Sequence, residues 1–452
     1  MLTRRLLLSS IASIACIKAI AAPLKPAQTG LRGTIDISGY GVAPDKAGDQ
    51  SKALNRLFRE AAEKRLPVFL PAGEYHLSGL SLPDNLWLSG VPGQTRLIHA
   101  GGGSFISGET LTKLTLSDLV LDGGGRALGD DVQGLLNLRG VADLTIDNCT
   151  IAGASKHCIH AERCGGRITG NSVSQAAFSG IYAVESARLA ITANTVFDCG
   201  NGGILVHRWE AGEDGTMVSG NRVFKIAAKD GGTGENGNGI NIFRAWNVMV
   251  TDNHVSDCAF SAIRANAATN VQISNNQCLR SGETAIYSEF GFQGAIVSSN
   301  LVDGAANGIL IVNFDDGGRL ATVSGNIVRN LHIDGPYVHD GAGFGFGIAA
   351  EADTVISGNV IENAPKWGLV LGWGPYMRGI VATGNLVRSA GSGCAVTVVE
   401  GAGTALIANN LFQDVKDGAI LGYRWNDKAT GDLLAGGSAA FAHLTLTGNR
   451  LA

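Results

Sequence analysis

The stretch Ile168-Thr169-Gly170-Asn171-Ser172-Val173 decides the fold, because its pattern returns throughout the chain. An apolar residue, two small or polar residues, asparagine, any residue and a second apolar residue recur at Ile191-Thr192-Ala193-Asn194-Thr195-Val196, at Val218-Ser219-Gly220-Asn221-Arg222-Val223 and at Val250-Thr251-Asp252-Asn253-His254-Val255. The series continues through Asn276, Asn300, Asn326, Asn359, Asn385, Asn410 and Asn449. With Asn148 it makes twelve anchors, most of them 23 to 27 residues apart. A fixed period of that length marks one supersecondary unit per repeat.

Within each unit apolar residues alternate over short runs, with Asn or Gly at the corners, which predicts strand, turn, strand, turn rather than helix. The Leu-x-x-Leu-x-Leu frame of leucine-rich repeats is missing. The fifth residue after most anchors is small or apolar, as an interior stack requires: Ala176, Cys199, Ile226, Cys258, Ala305, Leu331, Ala364 and Ala390. Parallel pairing of successive units at ~4.8 Å would give a rod on the order of 55 Å long, wound to the right by the chirality of parallel connections. The expected fold is therefore all-β, a right-handed single-stranded parallel β-helix over residues 66–452. Its asparagines need no catalytic role, since Asn tolerates left-handed corners and can pair its amide with the next turn's backbone. In residues 23–65, Asp49 or Ser51 can cap a helix reaching about Arg65, with Ala53, Leu54, Leu57, Phe58, Ala61 and Ala62 as its apolar stripe. Such a helix would plug the N-terminal end of the solenoid.

Composition narrows the function classes. Of 452 residues, 45% are hydrophobic, 16% are charged and 64 are glycine, a balance that disfavours long disorder and supplies many tight turns. The 35 basic and 39 acidic residues leave a net charge of −4, with no basic run beyond the N-terminus to suggest nucleic acid as a partner. Residues 1–22 read as a signal peptide: Thr3-Arg4-Arg5, an apolar run from Leu6 to Ile17, then Ala19-Ile20-Ala21 as a small-residue cleavage pattern. Paired arginines before a short apolar core resemble the twin-arginine class. The implied partner is the twin-arginine translocase, the implied location the periplasm or the exterior, and no later run is apolar enough to span a bilayer. After Cys16 come Cys149, Cys158, Cys164, Cys199, Cys258, Cys278 and Cys394, an odd number without CxxC spacing, so reduced buried thiols are expected.

The order of Gly41-Val42-Ala43-Pro44-Asp45, amphipathic helix and Val68-Phe69-Leu70-Pro71-Ala72-Gly73-Glu74-Tyr75 resembles the N-terminal entry of pectin-lyase-like β-helices. With the signal and the repeats, the whole chain is similar to a family of twin-arginine-translocated repeat proteins. That family implies no particular reaction. The wider superfamily implies a polysaccharide lyase, glycosidase or epimerase. Of the polygalacturonase-like elements Asn-Thr-Asp, Asp-Asp, Gly-His-Gly and Arg-Ile-Lys only Asp315-Asp316 is present, and the Asp-Pro-His signature of alginate epimerases is missing.

A second phrase, a small residue followed by Ile, locates a working face: Gly180-Ile181, Gly203-Ile204, Gly239-Ile240, Ala262-Ile263, Ala285-Ile286, Gly308-Ile309 and Gly347-Ile348. If each Ile points inward, the next residue and the one two further on point outward. The first outward column then reads His160, Tyr182, Leu205, Asn241, Arg264, Tyr287, Leu310, Ala349, and the second Glu162, Val184, His207, Phe243, Asn266, Glu289, Val312, Glu351. From an anchor to the next small-Ile strand the chain usually takes nine residues, but 18 from Asn221 to Gly239 and 21 from Asn326 to Gly347. The extra residues must leave as loops, one with Lys229, Asp230 and Glu235, the other with His332, Asp334, Tyr337, His339 and Asp340, and both enter this face as groove walls.

Uronate chemistry needs a cation for the acid and a base for the ring proton: Arg264 could bind the carboxylate, with Tyr287 or His207 moving the proton and Asn241, Asn266, Glu351, His339 and Tyr337 holding substrate. Arg264 could equally be paired with Glu289. Hydrolysis needs two carboxyl groups, for which Glu289 and Glu351, two turns apart at nominally ~10 Å by strand spacing, are the candidates. Asp230, Glu235 and Asn236 share a Gly-rich loop, but in no EF-hand or nonapeptide spacing, so calcium is a weak option and no cofactor or metal is expected. The sequence points to an exported β-helix that binds, and could cleave or epimerise, a polysaccharide. The alternative is a non-catalytic envelope or adhesion scaffold.

Overall fold

The computed structural model describes residues 33–338 and 341–452; the expected signal peptide and His339 lie outside them. One helix, α1 (Ser51–Lys64), precedes the solenoid and buries Leu54, Leu57, Phe58 and Ala61 against its open end. Its start is tied down by Asp49, whose Oδ1 accepts from the Ser51 N–H at 2.7 Å. Ser51 plays a different part from the cap expected of it: its hydroxyl accepts from the Ser78 and Gly79 N–H groups at 2.9 and 3.1 Å, stitching helix to first turn.

The rest is a right-handed single-stranded parallel β-helix. A representative turn runs through strands Leu189–Thr192, Thr195–Cys199 and Gly202–Glu213, which pair in parallel with Met217–Ser219, Arg222–Ile226 and Asn238–Trp246 of the next. The parallel register can be followed from Ser81 through Ser107, Asn137, His160, Tyr182, Leu205, Asn241, Arg264, Tyr287, Leu310, Ala349, Val370 and Ala395 to Leu421. Those fourteen levels at ~4.8 Å make a rod about 60 Å long. The expected first outward column is thus a true stack, and the isoleucines beside it (Ile159, Ile181, Ile204, Ile240, Ile263, Ile286, Ile309 and Ile348) are fully buried in one continuous core. The interior column read from the fifth residue after most anchors is buried as well, and the seven cysteines among the described residues are buried and free.

Eleven asparagines from Asn171 to Asn449 form a side-chain ladder. Each Oδ1 accepts from the backbone N–H at the equivalent corner one turn before, and the Nδ2 donates to a carbonyl of that preceding turn. Asn276, for instance, accepts from Asn253 N at 3.0 Å and donates to Val250 O at 2.9 Å and to Asn300 Oδ1 at 3.0 Å. Asn148 is not a rung: Cys149 pairs its N–H with Asn171 Oδ1, and Asn148 bonds Asp118 at the surface. The corner geometry also differs from expectation. The left-handed residue is the one before each ladder asparagine, as at Gly170, Ala193, Asp252 and Asn275, and Asn148 with φ 50° is its equivalent. The ladder asparagines themselves are kept by their amides.

At the far end the strand Asp427–Asp432 turns back antiparallel on Ile420–Arg424. Asp432 accepts from the Ala419, Ile420 and Leu434 N–H groups, closing part of an edge that would otherwise offer unpaired backbone.

Candidate functional site

Arg264, Asn241 and Asn266 project from neighbouring levels of the outward face because strand alternation puts them opposite the buried Ile240 and Ile263. With His207, Phe243 and Phe290 they line a cleft of about 400 Å³, walled on one side by Thr233, Gly234 and Glu235 of the first long loop. Gly234 sits against the Arg264 guanidinium at φ +146°, where any Cβ would overlap it. The loop therefore reaches the face, and glycine is what lets its backbone lie there.

Arg264 is almost fully buried and doubly paired. Its Nε and Nη2 donate to the two oxygens of Glu289 at 2.5 and 3.0 Å, and Nη1 donates to Glu283 at 3.2 Å. Asn266 donates to the same Glu289 at 2.9 Å, and the guanidinium lies 4.9 Å from the Tyr287 ring centre. Burial works against the arginine's charge, but Glu289 and Glu283 outweigh it and hold the proton more firmly than usual. Glu283, only 1% exposed, has its carboxyl pushed up by burial and pulled back in part by Arg264 and the Tyr337 hydroxyl, which donates at 2.8 Å. Tyr337 thus brings the second long loop onto the same cluster, its ring stacked on Phe260 and edge-on to Phe344. Both loops converge where the insertions indicated.

The expected residues divide into three groups. His207, Asn241, Arg264 and Asn266 line the cleft together. Glu289, Tyr287 and Tyr337 stand behind or beside it: Glu289 is 2% exposed, and Tyr287 packs partly against the apolar cluster of Leu310, Phe346 and Trp367. Burial first, then Glu289 and Glu283, raise the Tyr287 phenol well above its ordinary range, so it holds its proton. Glu351 is elsewhere, under the turn Phe314–Asp316, where it accepts from the Phe314 N–H at 2.7 Å and burial lifts its carboxyl to about 7. The carboxylates brought together are accordingly Glu283 and Glu289 on one guanidinium rather than Glu289 and Glu351 across open space.

Glu283 escaped the column count because it lies in a bulge, where the pairing of Gln277–Glu289 with Leu301–Ile311 shifts between Ser281 and Thr284. A run of rings extends the face from the cleft toward the N-terminus: His207 lies 5.5 Å from Phe243 and 5.3 Å from Tyr182, which in turn meets His160 and His157 at 5.7 and 4.7 Å. Burial lowers His207 and His160 to about 4 and His157 to about 3, so all three imidazoles are neutral at pH 7. Two polar atoms at the cleft, Asn241 Oδ1 and His207 Nε2, are buried with no hydrogen-bond partner.

The loop residues weighed for calcium are engaged within the chain. Asp230 bonds Asn201 at 2.7 Å, Glu235 accepts from the Thr233 N–H at 2.8 Å and Asn236 donates to Gly231 O at 3.1 Å. Among the described residues no group of three or more His, Cys, Asp or Glu is arranged to hold a metal, and no helix is long and apolar enough to cross a membrane.

Residues 134–328 match the family model described as "Right handed beta helix region". That span contains every residue lining the cleft and the first long loop. No curated protein sequence matches the chain. Solved structures similar to it include the catalytic unit of a thermostable GH87 alpha-1,3-glucanase from Streptomyces thermodiastaticus strain HF3-3, at 15% identity over 92% of this chain and 69% of that one, with a TM-score of 0.47. PfbA, a surface adhesin of Streptococcus pneumoniae, aligns at 14% identity over 88% and 94%, TM-score 0.49. The A-module of the Azotobacter vinelandii mannuronan C-5 epimerase AlgE6 aligns at 16% over 92% and 98%, TM-score 0.47. At these identities the likeness concerns fold alone.

Proposed function

We propose that this chain is an exported β-helix, periplasmic or secreted through the twin-arginine route, that binds a polysaccharide in the cleft over Arg264. The observation that carries this reading is the pair of buried, unpartnered polar atoms at the cleft, Asn241 Oδ1 and His207 Nε2. Buried polar groups are nearly always satisfied, so two orphans beside an open cleft call for hydroxyl-bearing ligand groups. Amides, an imidazole, and the Phe243 and Phe290 rings supply the mixture of planar hydrogen-bonding and apolar surfaces that a sugar ring presents in return.

The engaged state of Arg264 and the firmly held Tyr287 proton favour binding without chemistry as the resting condition. Cleavage or epimerisation would need a base, and neutral His207 with its free Nε2 is the group placed to serve. A glycan array and affinity electrophoresis with the mature protein test the binding, and the same glycans assayed for unsaturated products, reducing ends or altered epimer ratio test the chemistry. Retention by at least one glycan, weakened by substitution at Asn241, is expected. No retention by any glycan would end the reading.

A further inference from the structure

The charges around the cleft do not match an acidic ligand. Arg264 is the one cation among the described residues that line it, and three of its donor nitrogens already face carboxylates: Nε and Nη2 face Glu289, Nη1 faces Glu283. Glu235 on the loop wall adds a third acid, kept ionised by backbone N–H groups of its own residue and Thr233 and by Arg264. His207 adds no charge near neutral pH. Even with Glu283 protonated, Glu289 alone cancels the guanidinium and Glu235 leaves the balance negative.

Geometry agrees with charge. A sugar carboxylate seeking Arg264 must displace the bidentate Glu289, which Asn266 also holds, and such paired bonds are among the strongest side chains make. It would also meet Asn241 Oδ1, an acceptor with no partner. A hydroxyl can donate there, whereas an ionised carboxylate or sulfate has no proton to offer. We propose that the cleft selects sugar chains free of carboxylate and sulfate groups, and that Glu289 and Glu283 are its specificity-determining residues, holding Arg264 out of reach of acidic sugars. This rests on the glycan reading above. It makes the arginine, the residue that sequence alone would assign to a uronate, a structural cation.

Titration calorimetry on the mature protein tests it, using oligosaccharides of equal length in neutral, amino-bearing and uronate forms on β-1,4-gluco and α-1,4-galacto backbones, alongside the array. The neutral or amino forms should bind at least ten times more tightly than the uronates. Glu289→Gln, with Glu235→Gln on the loop wall as the second variant should the first fail to fold, should raise the ratio of uronate to neutral affinity about tenfold, as expected when one nearby charge is removed. Uronates bound as tightly as neutral chains by the unaltered protein, or a ratio unmoved in a folded variant, overturn the inference while glycan binding stands. Absence of binding in every form overturns the glycan reading itself, a result distinct from uronate preference.

Discussion

Replacing Asn241 by leucine should separate what holds this protein together from what it binds. Asn241 is 6% exposed, stacks between Leu205 and Arg264 in the outward column, and leaves its Oδ1 without a partner. A buried unsatisfied acceptor costs about 1–3 kcal/mol, and leucine keeps the same branched heavy-atom skeleton and finds an apolar neighbour in Leu205. Asn241→Leu should therefore stabilise the fold by about 1 kcal/mol. For a chain of 452 residues, an unfolding entropy of roughly 2.1 cal/mol/K per residue makes that a rise in Tm of only ~1 °C, so urea titration followed by circular dichroism is the better measurement. The same substitution removes the hydroxyl-binding acceptor from the cleft. Losing one neutral hydrogen bond there should weaken glycan binding about tenfold. Most core asparagines would lose stability on such a change, so stability held or raised with affinity lost is a specific signature. A variant that is less stable than the parent, or that binds as before, would refute the reasoning.

Other consequences can be checked as directly. Asn276→Ala should cost about 3–5 kcal/mol, read as a shift of the urea midpoint, because it orphans Asn253 N and takes one partner each from Asn253 Nδ2, Val250 O and Asn300 Oδ1 in a buried ladder. Stability should fall on acidification: His157, His160 and His207 protonate near 6.5 when unfolded but only at about 3 to 4 when folded, so their contribution is complete above pH 6.5 and is lost as pH drops toward 4, at up to ~1.4 kcal/mol per pH unit for each. His207→Phe should flatten that dependence in urea titrations across pH. Glu351 has the opposite sign, its folded value of about 7 lying above the ordinary 4.5; Glu351→Gln should change little below pH 4.5 and stabilise by of order 3 kcal/mol at pH 8. The seven buried thiols should resist a thiol reagent in the native protein and react on unfolding.

Much of this architecture was legible in the sequence, because a parallel solenoid repeats one physical problem at every turn. The Ile column and both outward columns could be counted in advance since strand alternation is rigid. The ladder could nearly be counted too, and its one error had a visible cause: Ile146 stands two residues before Asn148, whereas Ile168 stands three before Asn171. The site was legible only where the count holds. Glu283 lies in a bulge that breaks the count, and Tyr337 reaches it from 54 residues away, a contact no local pattern encodes. The pairing of Arg264 was legible as an alternative to substrate binding, but deciding between them required the burial that only the fold supplies.

The asparagine ladder has a direction. In each pair the earlier amide donates a hydrogen bond and the later one accepts it, from Asn171 to Asn449. Such a series has no odd member: a duplicated turn enters it with a donor below and an acceptor above and leaves nothing unsatisfied at either splice. A turn arriving with another side chain at that corner strands the backbone N–H of the turn before and takes a donor from the amide of the turn after. The rod can therefore lengthen by copying itself far more readily than it can change the residue at that corner, while the loops that carry recognition, lying outside the series, can vary without disturbing it.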